Sequence, residues 1–443
     1  MTFSINSLRS AINKFVIPIQ TKFAEPFKNR LSFRKMIMNR TISVVGLIGI
    51  GVVTLAFYIQ TGGQLIGQSA RPASGGRVSV IDFGAVGDGK TNDRAAIQAA
   101  IDAGEEIHFP NVDAFYRIVG SLKIGGSDQS GGKRLIGHRP CRGGGAFQGK
   151  PALIQGDGSA SLLVASGTTP QNRAIELIGL SALNIGNPVL DLMSGIDAMV
   201  DNCWLRSLKN TDAAVRLRES YNVTIRESTI GCSGGGFAVT AYQQCNKLRI
   251  QNCRIGGGDV GGAVHVEQSA NVQLEGNIVE LGVYGLVVSS GIRLDQSDSG
   301  NVEGAGACHA LRIASNYFEN VQHPLVIGSA MNLADHPGQA VFGAVIETNN
   351  IGTYGFDFPL MTIGRLRAAS IRGNSFWRKI DGNSPAILST FAPGATPPHP
   401  TACVIEANHV TNGSGPFLSG GDVRVGGVSL IQKLSAENDV KLP

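Results

Sequence analysis

One short pattern, aliphatic-x-x-small polar-x-aliphatic or Phe, recurs nine times between residues 178 and 410. The copies are Ile178-Ser181-Leu183, Val200-Cys203-Leu205, Ile225-Ser228-Ile230, Ile250-Cys253-Ile255, Leu274-Asn277-Val279, Ile313-Asn316-Phe318, Ile346-Asn349-Ile351, Ile371-Asn374-Phe376 and Ile405-Asn408-Val410. Their starts lie 22, 25, 25, 24, 39, 33, 25 and 34 residues apart. A repeat of that period is one turn of a solenoid, in which each unit buries its apolar face only by stacking on its neighbours. The three longest intervals are turns enlarged by inserted loops. The recurring polar residue is expected to stack inside at a bend, where Asn tolerates left-handed backbone and its amide bonds to the next rung. Asn316, Asn349 and Asn374 are then internal ladder residues. Composition agrees: glycine is 59 of 443 residues, charged residues are 16% and hydrophobic residues 42%. That excludes a disordered or coiled-coil chain and suits one that turns often and buries both faces of its strands.

Charge is distributed unevenly. Residues 1–70 hold eight basic side chains and one acid, Glu25, while the remainder carries 30 Lys and Arg against 32 Asp and Glu. The net charge of +5 therefore belongs to the leader, and no nucleic-acid surface is implied for the body. Arg40 and Arg71 bracket an uncharged stretch that includes the apolar run Ile42 to Ile59, long enough at ~1.5 Å per residue to cross most of a ~30 Å hydrocarbon layer. Residues 1–40 read as a basic cytoplasmic tail or long n-region, 41–60 as a transmembrane signal anchor or signal peptide, 61–77 as a linker, and 78–443 as the folded domain. With the positive charge on the N-terminal side, the domain is translocated to the periplasm or the exterior, anchored or secreted. Gln68-Ser69-Ala70 offers a cleavage position, and a start at Met36 or Met38 would give an n-region of ordinary length.

Seven cysteines at 141, 203, 232, 245, 253, 308 and 403 have no metal-like spacing. Cys203 and Cys253 fall two rungs apart, roughly 9 to 10 Å at ~4.8 Å per strand, beyond disulfide reach, so buried free thiols are expected. No cofactor is expected; Ca²⁺ is conceivable on the carbohydrate reading developed below, but no site for it can be named.

The domain begins RVSVIDFGAVGDGKTNDRAAIQAAIDAGEEIHFP. Val78 to Phe83 alternates like a strand, and Asn92 or Asp93 is placed to cap a short helix. Ala96, Ile97, Ala100 and Ile101 form its apolar stripe, and Gly104 stops it. Gly84 to Thr91 fits the phosphate-binding pattern G-x-x-x-x-G-K-[ST], but Asp88 puts a negative charge where polyphosphate would lie. The run VIDFGAVGDGKTNDRAAIQAAIDAG resembles the N-terminal signature of pectate-lyase-like right-handed parallel β-helix proteins, in which the helix caps the solenoid. The resemblance implies an all-β, single-stranded right-handed parallel β-helix with a short capping helix, here preceded by the signal or anchor segment. It does not fix the chemistry, since polygalacturonase-like hydrolases, polysaccharide lyases and tailspikes share the signature.

In the resembling proteins the strand preceding each repeat usually carries the active site. With Val215, Leu217, Val239, Val264 and Val266 inside, alternation sends two columns outward. One runs Asp191, Arg216, Thr240, His265, Val288, Ile327 and the other Met193, Arg218, Tyr242, Glu267, Ser290, Ser329. Ionisable groups cluster on consecutive rungs beside the enlarged turns, approximately Ser289 to His309, Gly328 to Gly343 and Ser389 to Thr401, which would wall a groove. Arg216 and Arg218 suit the carboxylate of a uronic-acid chain. His265 is the candidate base for β-elimination, Tyr242 the acid, and Glu267 the group that orients either. Asp191, Asp212, Asp259, Arg293 and Asp295 are candidate substrate contacts. Asp191 and Glu267, ~14 Å apart, are too distant for the ~5 to 9.5 Å that glycoside hydrolysis requires. Asn210-Thr211-Asp212 matches the first catalytic motif of polygalacturonases, but Gly235 and Gly236 stand where their paired aspartates would be, leaving Asp212 with Asp259 as the hydrolytic option. The alternatives are a polysaccharide lyase, a glycoside hydrolase, or a non-catalytic exopolysaccharide-binding or assembly protein. A tailspike adhesin fits less well with the apolar segment, and oligomeric state is open.

Overall fold

The computed structural model describes residues 76–125, 132–138, 152–166, 174–258, 261–288, 308–328, 340–390 and 402–420, with two short strands at 424–425 and 428–429. The chain divides into two units, Met1–Ala70 and Arg71–Pro443, and all described residues belong to the second. The apolar segment at 41–60 lies outside the described residues, among which no helix is long and apolar enough to cross a membrane.

From Arg77–Ser79 to Val404–Glu406 a twelve-stranded parallel sheet takes one strand per turn. A second, twenty-stranded sheet takes two kinds of strand per turn, such as Ala213–Arg218 and Thr229–Cys232. They merge because Ile278–Val288 and Tyr317–Ile327 continue around the corner unbroken, paired from Ile278↔Tyr317 to Val288↔Ile327. The aliphatic repeat positions form the core: Leu177, Val200, Ile225, Ile250, Leu274, Ile313, Ile346, Ile371 and Ile405 are in register and buried. The first copy is therefore Leu177-Leu180-Ala182, one residue earlier than Ile178-Ser181-Leu183, because Ala182 and not Leu183 pairs with Leu205.

Asn277, Asn316, Asn349, Asn374 and Asn408 form the internal ladder, all nearly inaccessible. The Asn316 backbone N–H and Nδ2 both donate to Asn349 Oδ1, each at 3.0 Å, while Nδ2 also donates to Leu274 O. The same pattern repeats on each rung through Asn408. Ser228 and Cys253 hold the position on earlier rungs, where Ser228 Oγ accepts the Cys203 N–H. The left-handed backbone falls one residue before the ladder, at Asn202, Glu227, Asn252, Gly276, Ser315, Thr348, Gly373 and Ala407, with φ between 50° and 66°. The bend thus twists at the exposed residue, leaving the Asn free to point inward in ordinary backbone.

The six described cysteines are free and buried; Cys141 lies outside the described residues. Burial pushes the thiols of Cys203, Cys232, Cys245 and Cys253 up to about 12. They pack as small apolar groups rather than as nucleophiles.

The helix spans Arg94–Ala103, burying Ile97, Ala100 and Ile101 against the end of the solenoid. Lys133 Nζ donates to the carbonyls of Ile101 and Gly104 at its C-terminal end. The expected strand Val78–Phe83 is cut short: Arg77–Ser79 is a strand and Val80–Phe83 a 3₁₀ turn, because Val80 dips into the core while Ile81 stays exposed. The glycine-rich loop holds carboxylates instead of phosphate. Asp88 Oδ1 accepts the N–H groups of Lys90 and Thr91, and buried Asp93 accepts those of Val86 and Gly87. Its donors are thereby spent on the chain itself.

Candidate functional site

Strands Leu190–Met193, Ala213–Arg218, Phe237–Tyr242 and Gly262–Val266 lie in register on four consecutive rungs. Val215, Val239, Val264 and Val266 are inside and fully buried. The intervening positions Asp191, Arg216, Thr240 and His265 form one outward column. It continues through Val287 and Val326, not through Val288 and Ile327, which join the core. The shift arises because Leu286, rather than Val287, pairs with Val264. Met193, Arg218 and Tyr242 form the second column, and the Glu267 N–H bonds to the Ala241 carbonyl, extending it by a rung. Ser290, Ser329, Asp259, Arg293 and Asp295 lie outside the described residues.

At its upper end the column is a charge cluster. Arg216 donates from Nε and Nη2 to the two oxygens of Asp191 at 3.1 and 2.5 Å, and from Nη1 to Asp212 Oδ2 at 2.5 Å. Arg218 Nη2 adds bonds to both Asp191 oxygens at 3.2 and 3.4 Å. Burial opposes the Arg216 charge, but the hydrogen bonds and charges of Asp191 and Asp212 outweigh it and raise its pKa. Arg216 is thereby committed to two internal carboxylates, while Arg218 bonds Asp191 through Nη2.

Asn210 is structural. Its Nδ2 donates to Ser207 Oγ and the Ala213 carbonyl, and its Oδ1 accepts the Asp212 N–H, fixing the bend that aims Asp212 at Arg216. Gly236, where polygalacturonases carry an aspartate, has no room for a side chain, since a Cβ there would lie 2.5 Å from the Asp212 carbonyl oxygen.

Two rungs beyond Asp191's partner Arg216, His265 Nε2 lies 2.9 Å from Glu267 Oε1. With Nε2–H donated to the carboxylate, Nδ1 carries the ring's lone pair. His265 has the expected outward phase but is not exposed: only 3% of its surface is accessible. The Phe237 ring covers it at a centroid separation of 5.0 Å, and reaches there because Gly262 has no side chain; a Cβ would overlap the ring. Phe237 also begins an aromatic row parallel to the solenoid axis, followed by Tyr284 at 6.4 Å, His323 at 5.3 Å and Phe358 at 4.7 Å. Phe237, Val287 and Val326 form a small apolar cluster separate from the core. Burial lowers the His323 pKa, which favours a neutral imidazole in this row. Among the described residues, no group of three or more His, Cys, Asp or Glu side chains is placed to hold a metal ion.

The sequence reading missed two features. Asp191 and Asp212 meet on one guanidinium, and Phe237 roofs His265; the signals available were the i, i+4 spacing of Asp212 and Arg216 and the bare Gly262 below Phe237.

The family described as "Right handed beta helix region" matches residues 192–357. No curated protein matches the chain. Among solved structures, DFA-IIIase from Arthrobacter chlorophenolicus A6, without its lid and in complex with GF2, is 12% identical. That likeness covers 79% of this chain and 92% of the other with a TM-score of 0.55. The Streptococcus pneumoniae surface protein and adhesin PfbA is 16% identical over 79% of this chain and 100% of its own, TM-score 0.47. The A-module of Azotobacter vinelandii mannuronan C-5 epimerase AlgE6 is 16% identical over 78% and 90%, TM-score 0.48.

Proposed function

For this right-handed parallel β-helix protein of the pectate-lyase-like kind, we propose an extracytoplasmic, carbohydrate-active role: action on an acidic polysaccharide by β-elimination in the groove over Asp191 to Glu267. At 12% identity the likeness to DFA-IIIase speaks for the fold alone, so the proposal stands on the residues. The observation that carries it is the His265–Glu267 pair, a carboxylate-oriented imidazole set in the outward column beside Tyr242 and Arg218. In the elimination, the Phe237 ring has to swing off His265, whose Nδ1 then takes the C5 proton of a uronate residue while the C5–H electron pair becomes the C4=C5 double bond. The C4–O bond breaks, and Tyr242 gives its proton to the departing oxygen. Arg218 faces the carboxylate that activates C5, the role first expected of both arginines.

Hydrolysis has one observation in its favour. The Oδ2 atoms of Asp191 and Asp212 each lie 2.5 Å from a terminal nitrogen of the same guanidinium. Since those nitrogens are about 2.3 Å apart, the two oxygens are separated by at most about 7 Å, which does not exceed the upper limit for paired carboxylates in glycosidases. This pair stands beside Asp212 with Asp259, which lies outside the described residues, as a hydrolytic alternative. Against it, both carboxylates are neutralised by arginine, which works against either serving as a proton donor.

Incubating the purified chain with uronic-acid polysaccharides separates the possibilities. Elimination yields ultraviolet-absorbing unsaturated ends, and hydrolysis yields new reducing ends without that absorbance. Binding that shortens nothing would sink both chemistries and leave an exopolysaccharide-binding protein.

The extracytoplasmic placement, with residues 41–60 as anchor or signal, is tested by reporter fusions after residues 40 and 75. Only the second reporter is expected to be translocated. Translocation of a reporter at residue 40 would overturn the topology.

A further inference from the structure

Among the described residues, the Thr240 hydroxyl and Arg218 Nε in this groove are buried and have no hydrogen-bonding partner. Thr240 sits between Arg216 and His265 in the outward column, and Arg218 is its diagonal neighbour on the preceding rung. Thr240 is only 1% exposed, since its short side chain forms the floor between two long ones. Arg216, Arg218, Tyr242 and Glu267 around it retain some exposure, so a ligand entering among them reaches the hydroxyl last.

A buried donor without an acceptor is destabilising and asks for an explanation. Here the two lie on neighbouring rungs at diagonal positions of the register, both can donate, and one belongs to a guanidinium. The neighbouring acceptors are already engaged, Asp191 with Arg216 and with Arg218 Nη2, Asp212 through Oδ2 with Arg216, and Glu267 with His265. Two unspent donors beside a cation fit an anionic, two-oxygen acceptor.

We infer that Thr240 Oγ–H and Arg218 Nε–H together receive the carboxylate of a uronate residue, making Thr240 a specificity-determining residue of the groove. This rests on the acidic-polysaccharide function proposed above and names the contact that would select the acid over its ester. Thr240 touches the carboxylate and takes no part in proton transfer.

The test uses Thr240→Val, which removes the hydroxyl and keeps the shape. The full-length chain is assayed against oligogalacturonate, oligoglucuronate and oligomannuronate and the methyl ester of whichever is bound best. The variant should raise KM or Kd by about tenfold or more, the loss typical of a hydrogen bond to a charged group, and lose the preference for free acid over ester. Its melting temperature should stay the same or rise, because an orphaned polar atom has gone. Arg218→Lys, which keeps the charge and removes Nε–H, should lose the same preference. If either variant keeps the parent's affinity and preference, the paired contact is overturned. A fall in melting temperature with unchanged affinity would make Thr240 structural and overturn it equally. Failure of the parent chain to bind any of the three acids would instead overturn the proposed function, and this inference with it.

Discussion

Replacing Asn349 by Leu should destabilise the solenoid by about 3 to 5 kcal/mol, although the two side chains are close in volume. Asn349 Oδ1 accepts from both the backbone N–H and Nδ2 of Asn316, and Asn349 Nδ2 donates to the Ile313 carbonyl and to Asn374 Oδ1. Leucine removes all four bonds and leaves two buried donors of Asn316 without that acceptor, at about 1 to 3 kcal/mol per orphaned group. Nothing can reach in from solvent, since the neighbouring ladder residues are themselves nearly inaccessible. Asn349→Asp should also destabilise, because it keeps the acceptor for Asn316 but turns carboxylate oxygen toward Asn374 Oδ1 and the Ile313 carbonyl. Urea midpoints for the two variants and the parent measure the difference. A Leu variant with the parent's midpoint would contradict the ladder.

The ladder was legible because its period survives three loop insertions: eight of the nine copies keep their register from Val200 to Ile405. Legibility failed where alternation failed. Leu286, Val287 and Val288 are all buried, so the sequence does not say which of them points outward, and the column slipped by one residue. The copy at Ile178 slipped for a related reason, since Leu177 and Ile178 are both aliphatic. The left-handed bend was placed on the Asn itself because Asn favours that backbone, whereas Glu227, Thr348 and Ala407, which hold the position on three rungs, do not advertise it.

The candidate site was legible only as phase. Alternation correctly set His265 outward and Val264 and Val266 inward, but burial depends on what lies above the sheet. Here that includes a phenylalanine crossing a glycine one rung away. The Asp191–Arg216–Asp212 cluster was hidden because Asp212 precedes the strand and lies outside either column. Its contact depends on the reach of an arginine side chain and on the bend held by Asn210. Such contacts are set by tertiary packing and leave little trace in a single chain's spacing.

His265→Gln should reduce turnover on a uronic-acid polysaccharide by about 10² to 10⁴, the contribution of a positioned general base. Although alternation points His265 outward, the position cannot be changed at no cost to stability. The imidazole is buried, covered by Phe237 and bonded to Glu267, so truncation to Ala would leave a cavity and a carboxylate without this partner. Gln retains an amide to meet Glu267 and loses the ring, a smaller change of about 1 to 2 kcal/mol, which keeps the activity measurement interpretable. Tyr242→Phe should also lose turnover at the leaving-group step while keeping the aromatic ring in place. Asp212→Asn separates the two chemistries, since it breaks the carboxylate pair and leaves the His265–Glu267 pair intact. Elimination predicts unsaturated product from Asp212→Asn and almost none from His265→Gln. The reverse pattern, with His265→Gln fully active and Asp212→Asn inactive, would remove His265 from the chemistry and assign the groove to hydrolysis through Asp191 and Asp212.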